Sequence, residues 1–258
     1  FTGEDACKVL DRICTRQMHG MQDGQIRYSI VCNPQGGCRD DVLVYKIKEN
    51  EYLMVCNGAN REKILAHIDE NRSNYDFKLK DETESTAMIA LQGPKVMELL
   101  GSVSTEIPEL KRYRFTTKNL LIAKVLISRT GYTGEDGVEV ILPSKLATKV
   151  IDMMLKNLGD VPIVKPTGLG ARDSLRLEAG MPLYGHELTE EIDPLSAGLA
   201  FAVKLDKGDG ENEAEPFIGQ EALRVISKKG SGIKLAGLKL DGKRSPRQHM
   251  QVLHDGEV

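Results

Sequence analysis

Two neighbouring acids, Asp40 and Asp41, follow the turn-forming stretch Asn33-Pro34-Gln35-Gly36-Gly37 and stand at the mouth of an apolar run, Val42-Leu43-Val44-Tyr45. A second apolar run, Tyr28 to Cys32, precedes the turn. Strand, glycine-bearing turn, strand is a hairpin pattern. Carboxylates are residues that can take part in general acid–base work. Successive side chains of an extended chain point to opposite faces, so at most one of the two acids enters the space that the sheet covers. The ordinary alternative is a pair of solvated turn acids.

Two more polar clusters interrupt apolar elements. One is Arg129-Thr130-Gly131-Tyr132-Thr133-Gly134-Glu135-Asp136-Gly137-Val138-Glu139. Its glycines let the backbone fold tightly and approach a ligand. Tyr132 can stack on a flat ring, and Glu139 projects from the strand that follows; the plain alternative is a long hairpin loop with a solvated acid. The other cluster runs from Gly168 to Gly180 and holds Arg172 and Arg176 on one helix face at i,i+4 spacing. Asp173 supplies a local ion pair for Arg176. The planar fork of Arg172 suits a carboxylate or a ring carbonyl. No stretch fits the dinucleotide or phosphate-loop glycine patterns, and no serine stands in a nucleophile-elbow context. Acids, arginines and tyrosines without metal-ligand spacing suit a flat, amide-bearing heterocycle.

The elements that position these clusters read as follows. A helix enters at Thr2-Gly3-Glu4-Asp5 and continues through Ile13. Three consecutive strands end at Cys56. A helix with the stripe Ile64, Leu65 and Ile68 follows Asn60. Thr86 to Leu91 is a strand, turned by Gln92-Gly93-Pro94 into a helix from Lys95 to Leu100. Leu120 to Thr130 reads as one strand and Val138 to Leu142 as another. Helices are expected from Lys145 to Leu158 and from Gly168 to Ala179. Asp209 to Pro216 reads as a loop, and Ile233 to Leu240 as the start of a new strand series. Helices mixed with antiparallel strands, without regular alternation, make the fold class α+β.

With 258 residues, 40% hydrophobic and 28% charged, the chain has ample material for a core. A net charge of -3 gives no basic surface for nucleic acid. No run reaches the ~18 apolar residues of a membrane span. The five cysteines, at 7, 14, 32, 38 and 56, form no CxxC pair and read as free thiols of a reducing compartment. No metal site is expected. The chain begins at Phe1 and stops in a hairpin turn at His254-Asp255-Gly256-Glu257-Val258, which reads as part of a longer protein.

Taken together, GGCRDDVLVY, ALQGP (Ala90 to Pro94), RTGYTGEDGVEV, GARDSLRLEAGMPLYGHEL (Gly170 to Leu188) and Phe217-Ile218-Gly219-Gln220-Glu221-Ala222-Leu223 resemble the T-protein, or aminomethyltransferase, family of the glycine cleavage system. The match runs in order over nearly the whole chain. GYTGEDG with GARDSLRLEAG is its specific part. The resemblance implies a cloverleaf of two α+β domains and a C-terminal β-barrel around a central tetrahydrofolate cavity. The expected division is 1–81 with 192–222, then 82–191, then 223–258 as the start of the barrel. It implies transfer of a methylene group from an aminomethyl-dihydrolipoyl arm on H-protein to tetrahydrofolate, with ammonia released. By matching position Asp41 is the catalytic aspartate, and Tyr28, Asn57, Tyr132, Glu139 and Arg172 are folate contacts. Tyr132 is expected beside the ring, Glu139 on the pterin amine and ring N–H, and Arg172 on the pterin or on Glu139. Asp40 is expected to be dispensable because the pleat turns it away. The compartment implied is the cytoplasm in a bacterium or archaeon and the mitochondrial matrix in a eukaryote. Two alternatives share the fold. One is a folate-dependent demethylase or the folate domain of a dimethylglycine or sarcosine oxidising enzyme. The other is a non-catalytic folate-binding iron–sulfur assembly factor.

Overall fold

The computed structural model describes residues 1–102, 104–120, 123–157, 164–210, 214–242, 246 and 250–253. Two antiparallel sheets organise it. The first has β1 (Ile26–Cys32), β2 (Cys38–Lys48) and β3 (Glu51–Val55) in that order. The second has β4 (Thr86–Gln92), β5 (Phe115–Leu120), β6 (Ala123–Ser128) and β7 (Gly137–Pro143), ordered β4-β7-β6-β5.

The pleat of β2 decides what each face does. Val42 and Val44 point to the side covered by α1 (Ala6–Ile13) and α2 (Arg61–Glu70), where they pack with Val9, Leu10, Ile64 and Ile68. Leu43, Tyr45 and Ile47 point to the other side. There they join Ile26, Val55, Phe115, Leu126 and Ile141, the last three from the second sheet. The two sheets therefore face each other across a shared apolar seam. Tyr45 and Phe115 mark its centre, with ring centroids 5.5 Å apart and tilted. Such a pair contributes ~0.5–1.5 kcal/mol beyond its burial. The far face of the second sheet, with Val125, Val138 and Leu142, packs against α3 (Val96–Gly101), α4 (Glu106–Glu109) and α5 (Ala147–Asn157). Helix α6 (Leu169–Glu178) and the segment after it complete the chain up to α7 (Gln220–Lys229).

The segment from Leu188 to Leu223 returns to the first sheet, packing Leu199, Ala202 and Phe217 on Ile30 and Cys32. Lys207 fixes this return. Its ammonium, fully buried, donates to the carbonyls of Asp11, Cys14 and Arg16 and lies 3.4 Å from the Asp11 carboxylate. Burial lowers its pKa, and the Asp11 charge acts against that.

Several expectations need correction. Leu120 to Thr130 is not one strand. It begins as the end of β5 and continues as β6, and Leu121 and Ile122 lie outside the described residues. Strand β5 escapes a hydrophobicity reading because Thr116-Thr117-Lys118-Asn119 is polar. Ile233 to Leu240 forms no strand, and Ile233, Leu235, Leu238 and Leu240 are exposed. Its alternating pattern finds no partner strand among the described residues. Helix α2 buries His67 beside Ile64 and Ile68, while Leu65 stays half-buried. Leu158, the expected end of α5, residues 211–213 of the Asp209–Pro216 loop, and the His254–Val258 turn lie outside the described residues. The five cysteines are free thiols, three of them buried.

Candidate active site

The β1–β2 turn is closed by Asn33, whose Oδ1 accepts from the amides of Gln35 and Gly37. This fixes the register in which Ile30 lies opposite Asp41 and Tyr28 opposite Leu43. Tyr28 and Asp41 are therefore diagonal neighbours on the face that looks toward the second sheet, within reach of a long side chain. The Tyr28 hydroxyl donates to Asp41 Oδ2 at 3.2 Å. Asn57, just beyond β3, donates from Nδ2 to Asp41 Oδ1 at 2.8 Å. Burial raises the Asp41 pKa, and the bonds from Asn57 and Tyr28 oppose the rise. A carboxylate so held is more basic than one in water and keeps a fixed orientation.

Asp40 does point to the opposite face, yet it is not a solvated acid. It is fully buried and accepts from Asn57 N at 3.0 Å, Asn57 Nδ2 at 2.8 Å and Asn60 Nδ2 at 2.6 Å. Its pKa is raised by burial, against these hydrogen bonds. Asp40 thus anchors the segment that carries Asn57, and one amide nitrogen serves both acids.

On the facing sheet, Glu139 pairs with Ser128 and Ala90 and shares the inward face with Ile141 and Leu126. It is 6% exposed, and its Oε2 accepts from Thr130 Oγ1 at 2.6 Å. Thr130 Oγ1 lies 2.8 Å from Ser128 Oγ, which lies 3.5 Å from the Tyr45 hydroxyl. A chain of hydroxyls therefore joins Glu139 to the first sheet. Among the described residues nothing donates to Glu139 Oε1, which leaves one acceptor oxygen of a buried acid open to an N–H donor.

The loop before β7 is clasped at its base by Gln92, whose Nε2 donates to the carbonyls of Thr130 and Val138 at 3.1 and 3.0 Å. The amide lies so close to Gly131 and Gly137 that a Cβ on either would fall 1.9 or 2.2 Å from Gln92 Oε1. A Cβ at either end would push the Gln92 amide out of this clasp, so the two glycines and the Gln of the ALQGP stretch go together. Beyond it, the Tyr132 hydroxyl donates to Pro182 O, and the Arg172 guanidinium lies over the Tyr132 ring, 4.8 Å from its centroid. Burial pushes the Tyr132 phenol up to about 12. The guanidinium rests on this ring rather than on the Glu139 carboxylate, which corrects one of the two expected roles of Arg172. Arg176, by contrast, is more than half of a local ion pair. It is buried and joins Asp173 and Glu187, each at 2.8 Å.

The structure thus brings Tyr28, Asp41 and Asn57 into direct contact, stacks Arg172 on Tyr132, and sets Glu139 apart with Thr130. Residues that the sequence reading missed are Thr130, Ser128 and Tyr45 in the hydroxyl chain, and Phe201. The Phe201 ring is 63% exposed yet stacked on Tyr28, with centroids 6.0 Å apart. Among the described residues no group of His, Cys, Asp and Glu side chains could hold a metal ion, and no helix is long and apolar enough to cross a membrane.

Residues 1–207 match the GCVT N-terminal domain. The chain belongs to the GCVT family. It is 40% identical over 257 residues to an aminomethyltransferase of Caldanaerobacter subterraneus subsp. tengcongensis, covering 99% of this chain and 67% of that one. It is 42% identical over 258 residues to an aminomethyltransferase of Rubrobacter xylanophilus, covering 100% of this chain and 66% of that one. Among solved structures, the glycine cleavage system aminomethyltransferase T of Bartonella henselae superposes with a TM-score of 0.74 at 29% identity, over 89% of this chain and 60% of that one. The chain therefore spans about two thirds of the length of these family members.

Proposed function

We propose that this chain acts as the folate-dependent aminomethyltransferase of the glycine cleavage system. It would move the methylene group of an aminomethyl-dihydrolipoyl arm, presented by H-protein, to tetrahydrofolate, with release of ammonia. The observation that carries this reading is the half-buried Asp41 carboxylate, held by Tyr28 and Asn57 on the face that looks toward the second sheet.

Each role follows from chemistry already described. The open oxygen of Glu139 suits the amine and ring N–H of a pterin, donors that a buried acid with one partner lacks. The Arg172–Tyr132 stack offers a flat surface and a planar fork for a ring carbonyl. Asp41, made more basic by burial, accepts a proton or hydrogen bond at the N5–N10 edge. A bond forms from N5 to the methylene carbon as its C–N bond breaks and ammonia leaves; N10 then bonds to the same carbon as the C–S bond breaks, and the N10 proton goes with the released dihydrolipoyl thiol. A positioned carboxylate of this kind contributes about 10²–10⁴-fold. We assign residues 1–81 with 192–222 to one domain and 82–191 to a second. The packing of the 188–223 segment on the first sheet supports that grouping.

The test is calorimetric titration with tetrahydrofolate beside a turnover assay with aminomethylated H-protein, on the parent, Asp41→Asn and Glu139→Ala. The parent is expected to bind, Glu139→Ala to bind much more weakly, and Asp41→Asn to bind normally while losing most turnover. Full turnover in Asp41→Asn would sink the role of that residue. No folate binding by the parent would sink the whole reading.

A further inference from the structure

A cleft of about 600 Å³ opens where α1, α2 and the first turn of α7 meet, and none of the candidate site residues lines it. Arg12, Arg39, His67 and the start of α7 supply donors to its walls, and the exposed acids Glu70 and Glu221 line it as well. The N-terminus of α7, a helix of 10 residues, has no side-chain cap, and the amides of Glu221 and Ala222 find no acceptor among the described residues. This end of the helix is locked in place. Gly219 has φ +89°, and a Cβ there would stand 2.5 Å from Asn33 O in the β1–β2 turn. Arg12 spends one N–H on Pro216 O at 2.9 Å.

His67 supplies the independent observation. It lines the cleft and is 3% exposed. Its Nδ1 lies 2.9 Å from Arg39 Nη1. Arginine can only donate, so Nδ1 accepts and the ring proton sits on Nε2. Among the described residues that Nε2 has no hydrogen-bond partner, and neither has Arg39 Nε. Burial and the Arg39 charge lower the His67 pKa to about 4, so the ring is a neutral donor. The nearby acids pair with the Arg39 charge at distances too long for a hydrogen bond. Glu70 and Glu190 stand 3.9 and 3.8 Å from Arg39, and Glu221 turns to Arg224 at 2.6 Å.

Buried N–H groups without acceptors call for one, and a helix N-terminus favours a negative one. We propose that this cleft binds the phosphate group of a small molecule, its oxygens received by the Glu221 and Ala222 amides and by Arg12 and Arg39 beside His67. Donors arriving from three elements suit a tetrahedral oxyanion better than a planar carboxylate, which a single arginine fork satisfies. The cleft also has room for an organic remainder.

The experiment is a titration of the ¹⁵N-labelled chain, at constant ionic strength, with inorganic phosphate, with a nucleoside monophosphate and with acetate. The Glu221 and Ala222 amide signals are expected to move with both phosphates and not with acetate. Arg39→Gln and Arg12→Gln are each expected to weaken phosphate binding about tenfold or more, with the rest of the spectrum unchanged. Tighter binding of the nucleoside monophosphate than of phosphate supports an organic ligand; equal binding supports free phosphate at the same subsite. Unmoved amides, an equal response to acetate, or full affinity in both variants would overturn the proposal. If Arg39→Gln does not fold, Arg12→Gln decides. Folate binding is read separately, so this test stands or falls independently of the transferase reading.

Discussion

Asp40→Ala tests whether the two adjacent acids divide their labour as the pleat suggests. Asp40 accepts three hydrogen bonds, and its loss leaves Asn57 N and Asn60 Nδ2 without acceptors; Asn57 Nδ2 keeps Asp41. Each buried orphan costs about 1–3 kcal/mol. The gain from no longer burying a carboxylate offsets part of that sum. A net loss of about 2–4 kcal/mol is expected, a large fraction of the ~5–15 kcal/mol by which a domain is stable. For a chain of this size that lowers Tm by roughly 4–16 °C. Urea titration followed by circular dichroism reads the loss, with turnover per folded molecule measured in parallel. The Asp41→Asn variant is the control, expected to stay within about 1 kcal/mol of the parent in stability. If Asp40→Ala stays within about 0.5 kcal/mol of the parent, the anchoring argument is wrong. If it is stable yet inactive, the roles of the two acids are reversed.

Thr130→Val keeps the shape of its side chain but removes the only donor to Glu139 Oε2 among the described residues. Hydrogen bonds to charged groups contribute about 1.5–3 kcal/mol, so calorimetry is expected to register a weaker fold or a tenfold or greater loss of folate affinity. Stability should depend on pH through His67, whose folded value is about 4 against 6.5 when free. A depressed value means that the unfolded chain binds the proton first. The contribution is therefore complete above pH 6.5 and is lost as pH falls toward 4. Urea midpoints across that window should fall in the parent and fall less in His67→Gln. Gly137→Ala drives a methyl group into Gln92 and should displace the Tyr132 loop; adding Gln92→Ala should restore part of the lost stability in a double-mutant cycle.

Strict alternation along a strand made it legible that two adjacent acids must part company, and the family resemblance picked Asp41 of the two. Glu139, Tyr132 and Arg172 were legible because glycine-rich and charged clusters are conspicuous in apolar surroundings. The burial of Asp40 was not, since its partners Asn57 and Asn60 come from beyond another strand and asparagines after a strand read as turn residues. Ser128 and Thr130 passed as ordinary strand hydroxyls, and their use appears only when Tyr45 arrives from the other sheet. Phe201 sits in a short turn of Gly, Leu and Ala that signals nothing until Tyr28 lies beneath it. Local pattern recovered the faces and turns; contacts between distant segments required the fold.

The buried Lys207 has a consequence for how the molecule opens. Its amine is enclosed by backbone carbonyls from the end of the first helix. An acylating reagent needs a free, uncharged amine, so it reaches Lys207 only while the returning segment has parted from that helix. The exposed Lys228 and Lys229 react at all times. The ratio of their labelling is thus a clock for one seam, read by mass spectrometry in a solution where the protein remains native.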